Sequence, residues 1–86
     1  MDDRERQMQK IERLAYAFEA YGYFVDAHPI PGEEEAFANH LAEGFAKVET
    51  AFKLNAEHYG FRGKSKRAMA SLHRQLPEPV WGVGVR

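Results

Sequence analysis

Apolar residues recur at Met8, Ile11, Leu14, Ala15, Phe18 and Tyr21, in steps of three and four that draw a single stripe along a helix. The pattern blurs at Gly22, inside Tyr-Gly-Tyr-Phe-Val, where a glycine can either cap a helix or sit within it at a cost of about 1 kcal/mol relative to Ala. Pro29 and Pro31 drive His28 and Ile30 toward extended backbone. The first helix is therefore expected over residues 3–25 and must be over by Ala27.

A second stripe, Phe37, Leu41, Phe45, Val48, Phe52, Ala56 and Tyr59, repeats in the same steps. Glu33, Glu34 and Glu35 precede it and place negative charge in the first turn, where the helix macrodipole favours it. Glu43 with Lys47 and Glu49 with Lys53 stand four apart in the acid-first order that supports an exposed helical face. This predicts a helix over residues 33–59, a rod of roughly 40 Å. Two such helices joined by a short Pro/Gly turn at His28 to Gly32 are expected to return antiparallel with their stripes facing. On that view the aromatic stripe is core before it is anything else.

Gly60, Phe61, Arg62 and Gly63 interrupt the second helix, and Ser65 is suited to cap a third one over residues 65–76 with Ala68, Met69, Leu72 and Leu76 inward. Pro77 stops it. The tail then alternates, putting Trp81, Val83 and Val85 on one face of an extended arm over residues 77–86. With no partner strand evident elsewhere, the arm is expected to strap the hairpin or to pair with another chain. The fold class expected is all-α: an antiparallel helical hairpin of two long helices, a short third helix and an extended C-terminal arm, in one domain spanning residues 1–86.

Composition adds three constraints. With 44% apolar and 29% charged residues the chain is of globular type, yet at 86 residues it buries only about 60–65% of its unfolded surface, which makes a homodimer that doubles the core attractive. Cysteine is absent, so neither a disulfide nor a thiolate site can staple it. No signal-like apolar run follows Met-Asp-Asp-Arg-Glu-Arg-Gln and no stretch reaches membrane-spanning length, so a cytoplasmic location without a membrane partner is expected.

Charge is the most uneven property. Residues 1–59 hold 12 acidic and 6 basic groups, whereas residues 60–86 hold 1 acidic and 6 basic. Arg62, Lys64, Lys66, Arg67 and Arg74 lie together without an acid among them, around the start of the third helix, a pattern suited to phosphate backbones. Ala56 to Arg62 followed by a short basic helix resembles the turn of a helix-turn-helix motif over about 20 residues. It departs from the motif where an apolar residue should anchor the second helix and Lys66 stands. The competing reading is that these cations neutralise the acidic hairpin of the same or a sister chain.

Other chemistry is thinly represented. The hydroxyls Thr50, Ser65 and Ser71 have no recognisable base beside them, and Asp26 with His28 flanks a proline turn where capping and solvation are the ordinary roles. His40 and Glu43 share a helical face, but one such pair does not complete a metal shell. Gly60-x-x-Gly63-Lys64-Ser65 lacks the spacing of a phosphate-binding loop. No enzyme activity, cofactor, metal or small-molecule substrate is expected. Two functional expectations follow. The first is a non-enzymatic protein-interaction module, an accessory, regulatory or inhibitor subunit, binding through Phe37, Phe45, Phe52, Trp81 and Val83. The alternative is a nucleic-acid-binding regulator using Arg62, Lys64, Lys66, Arg67 and Arg74.

Overall fold

The structure is a computed structural model that describes residues 2–76 and 82–85. In chain order it contains α1 (Asp3–Glu19), β1 (Tyr23–Val25), α2 (Glu34–Tyr59), α3 (Lys66–Gln75) and β2 (Val83–Val85). It is mostly helical but not all-α, because β1 and β2 form a two-stranded antiparallel sheet pairing Tyr23 with Val85, Phe24 with Gly84 and Val25 with Val83.

The first helix stops well short of residue 25. Asp2 caps its start, its carboxylate accepting from the Glu5 N–H at 2.7 Å. At the other end Gly22 adopts φ +83°, a left-handed conformation that a helix cannot continue through, and its N–H donates back to the Glu19 carbonyl at 2.9 Å. Beyond it, Tyr23, Phe24 and Val25 are aromatic and β-branched residues that suit a pleated surface. They supply the strand the C-terminal arm lacked in sequence.

That early stop also overturns the antiparallel hairpin. Arg4 meets Glu34 at 3.2 Å, the Phe18 and Phe45 rings lie 5.4 Å apart, and Tyr21 touches both Phe45 and Phe52. Moving forward along α1 thus moves forward along α2: the two helices run side by side in the same direction. From Glu34 to Phe52 is about 27 Å of helix. Residues 20–33, which include the extended β1, are long enough to cover that distance on the way back, at about 3.3 Å per extended residue. A short turn forces antiparallel helices; a long connector frees them.

Asp26 N–H donates to the Gly82 carbonyl at 2.9 Å, extending the β ladder by one step. Both tail glycines are required by close approach. A Cβ on Gly82 would stand 2.6 Å from the Ala27 Cβ, and one on Gly84 would stand 2.7 Å from the Phe24 ring. The arm is therefore fitted to this chain's own β1 at 83–85, while Trp81 lies outside the described residues.

The core joins Ile11, Phe18, Tyr21, Tyr23, Phe37, Leu41, Val48, Leu72 and Val83, with Phe45, Phe52 and Met69 half-buried against it. Phe18, Leu41 and Leu72 are fully enclosed. The molecule is elongated, 44 × 23 × 17 Å with a radius of gyration of 13.9 Å against about 12 Å for a compact domain of this length. The length of α2 sets the long axis.

Candidate functional site

The basic segment begins where α2 ends. Gly60 turns the chain at φ +71° in a left-handed cap. Ser65 Oγ then accepts the Ala68 N–H at 3.1 Å and starts α3. With the cap at Ser65, the inward face of α3 carries Ala68, Ser71 and Leu72, all buried.

A polar joint fixes this face on α2. Asn55, almost fully buried, accepts at Oδ1 from Ser71 Oγ at 2.8 Å and from Gln75 Nε2 at 3.2 Å, while its own amide donates to the Ala51 carbonyl at 3.2 Å. Each polar atom of the amide has a partner, as burial demands. On the other side of α3, His73 Nε2 lies 2.9 Å from the Tyr21 carbonyl and the imidazole stands edge-on to the Tyr23 ring at 4.8 Å. A Cβ on Gly22 would meet that imidazole at 3.0 Å, so the α1 stop and the α3 seat are one fitted contact. The helix is held at both flanks.

Beside this joint opens a cleft of about 390 Å³ lined by Tyr59, Gly60, Phe61, Arg67 and Arg74, with the buried Ser71 at its edge. Arg67, Ser71 and Arg74 stand four and three apart on α3, hence on one face. Opposite them the Tyr59 and Phe61 rings are stacked, with centroids 5.7 Å apart and planes inclined by 30°, and Tyr59 is 57% exposed. His58 packs edge-on against Tyr59 at 4.6 Å. Tyr59 belongs to the apolar stripe in sequence, but the last turn of α2 carries it past the core and into solvent.

The five cations fare differently. Arg67 and Arg74 are brought together at the cleft, and Arg62 and Lys66 are exposed on the loop and the first turn of α3. Lys64 is drawn away: its ammonium lies 4.1 Å from the centre of the Tyr21 ring, a cation–π contact. Burial first, and the Glu49 charge second, push the Tyr21 phenol above its ordinary pKa, so that ring stays neutral beneath the ammonium. The side-chain ion pairs among the described residues are Arg4 with Glu34 and Arg6 with Asp3, and neither involves this segment.

The residues expected to bind a protein partner are placed mainly inside. Phe37 and Val83 are buried in the chain's own core, and Phe45 and Phe52 are half-buried against Tyr21. Trp81 lies outside the described residues. His40 and Glu43 are not joined by a third ligand: among the described residues no group of three His, Asp or Glu side chains converges as a metal site would need. No helix of the described residues is long and apolar enough to cross a membrane.

Two participants escaped the sequence reading. Asn55 falls on the second stripe, between Val48, Phe52 and Tyr59 at spacings of four, three and four, and a polar residue on an apolar stripe is the signal that could have found it. Phe61 reads in sequence as part of a helix break, although an aromatic on each side of Gly60 is what builds the stack.

The arrangement defines a class, a helical scaffold with a minor sheet that presents an aromatic and basic cleft at one end. Comparison with known proteins adds no family: no family model matches the chain, and no curated protein and no solved structure matches it.

Proposed function

We propose that this chain is a small non-enzymatic binding module whose ligand is nucleic acid, engaged by Gly60 to Arg74. One observation carries the reading: Arg62, Lys66, Arg67 and Arg74 are exposed and free of ion pairs among the described residues, and Arg67 and Arg74 line a cleft with the exposed Tyr59 and the half-buried Phe61. Cations meant to neutralise the acidic half of their own chain would close on its carboxylates. These do not. Of the three hydroxyls named from the sequence, two have structural duties, Ser65 as helix cap and Ser71 as donor to Asn55.

A second reading, the protein-interaction module acting as a homodimer, draws support from Met8, Tyr16, Ile30 and Leu54, large apolar side chains left exposed on the elongated body. It ranks below the first because Phe37 and Val83, which were to carry it, are used internally.

Light scattering with and without an oligonucleotide separates the two. With four cations meeting phosphates, affinity for a single strand is expected to fall roughly 50-fold between about 50 and 200 mM salt, and R67A/R74A should lower the salt slope by about 1.4. A dimer of twice 9.9 kDa that ignores the oligonucleotide at low salt would defeat the nucleic-acid reading and favour the interaction module.

A further inference from the structure

The five cations alone do not distinguish duplex from single strand, since both present phosphates. The cleft does distinguish them. Resting on the nucleic-acid reading above, we infer that the cleft between the Tyr59–Phe61 stack and the Arg67/Arg74 face of α3 is a subsite for an unpaired nucleotide of a single strand. Its base would stack on the exposed Tyr59 ring, which Phe61 backs, and its flanking phosphates would meet the two guanidinium groups.

Three features support this. Tyr59 and Phe61 already form a stack inclined by 30° at 5.7 Å, and more than half of Tyr59 is open to solvent even with His58 edge-on against it at 4.6 Å, so ring surface is left for a base to reach. Aromatic platforms of this kind accept any base, because every base has a π-face, but only a base that has left its duplex can reach one. The cleft of about 390 Å³ falls within the roughly 300–1,000 Å³ of small-molecule sites, a size for one nucleotide rather than for a helix groove.

The charges are placed to match. Arg67 and Arg74 are two helical turns apart, about 10 Å along α3, and line the same cleft, so their planar forks bracket the base on either side along the strand. Ser71 lies between them but its hydroxyl donates to Asn55, which leaves Arg67 and Arg74 as the polar contacts for phosphate. Asn55 and His73 hold α3 from behind, so the cleft keeps its width before any ligand arrives.

The test is fluorescence anisotropy on the full chain with a labelled 12-nucleotide single strand, the same sequence as duplex, and a polyglutamate of matched charge, at about 50 mM salt. The single strand is expected to bind tightest. Y59A should weaken it about tenfold with the salt slope unchanged, and Y59W should restore it, because the ring and not the hydroxyl does the stacking. Tyr59 is largely exposed, and a circular dichroism melt matching that of the parent chain separates this from misfolding. A duplex bound as tightly as the single strand, Y59A binding like the parent, or polyglutamate binding with the same dependence on Tyr59 would each overturn the single-strand subsite. Salt-sensitive binding to duplex alone would do so while leaving the nucleic-acid reading intact, whereas no binding to either oligonucleotide removes both.

Discussion

The α1–α2 face and the α2–α3 joint hold the same helix by opposite means. Along the first, Phe18, Leu41 and Val48 are sealed from water and their neighbours Tyr21, Phe45 and Phe52 meet ring against ring. At the second, one buried amide, Asn55, accepts from Ser71 and Gln75 and aims the face that carries Arg67 and Arg74. Apolar stripes are adhesive and tolerant of direction, whereas a hydrogen-bonded amide has few satisfactory poses. The first contact supplies stability and the second supplies geometry.

The largest effect should come from breaking the adhesive face. Phe18 is fully buried between the Tyr23 and Phe45 rings. F18A is expected to cost about 3–5 kcal/mol. For a chain this short that is a large share of total stability, so a thermal melt followed at 222 nm should show most of the helix signal lost well below the parent midpoint. A loss under about 1 kcal/mol would mean that the α1–α2 stripe is not the core described above.

Breaking the joint should do less damage but more selectively. N55A strands the buried Ser71 hydroxyl, at about 1–3 kcal/mol, whereas the exposed Gln75 amide can turn to water. Amide hydrogen exchange should then show α3 losing protection while α1 and α2 keep theirs. Replacing both polar partners together, as N55L/S71A, should recover most of the lost stability, because no hydroxyl or amide of that pair is left unpaired. Uniform loss of protection along all three helices would show that the joint is not separate from the core.

This contrast also explains what could be read in advance. The bounds of α2 and α3 follow from a carboxylate-rich start, a glycine stop and a serine cap, all local signals. The direction of α1 against α2 does not, because a stripe at spacings of three and four looks the same from either end. It turned on Gly22. Read as an interior glycine it left only a short turn and hence an antiparallel hairpin; as a left-handed stop it releases residues 20–33 to run back and form β1. The cations were visible as a cluster, but that Lys64 leaves them for Tyr21 and that Tyr59 and Phe61 join them depends on contacts between elements. Spacing along the chain does not carry that information.

The smallest expected effect tests the parallel arrangement itself. Glu34 can meet Arg4 at 3.2 Å only if both helices start at the same end of the molecule. Its carboxylate accepts from its own backbone N–H and from that of Gly32, the latter at 3.3 Å, and these bonds, with Arg4 as a lesser contributor, hold its pKa below the usual 4.5. A lowered folded-state pKa means the charged form is the one the fold prefers. The stabilisation is therefore complete above about pH 4.5 and disappears as pH falls through the lowered value. E34Q should be modestly less stable than the parent at pH 7, with the two melting curves converging in acid. R4A should reproduce part of the pH 7 loss, and adding it to E34Q should cost less than the two single losses combined, since the pair shares one contact. Strict additivity, or a parent and E34Q that stay equally far apart from pH 7 down to pH 3, would detach Arg4 from Glu34. The direction of α1 would then rest on Phe18, Tyr21, Phe45 and Phe52 alone.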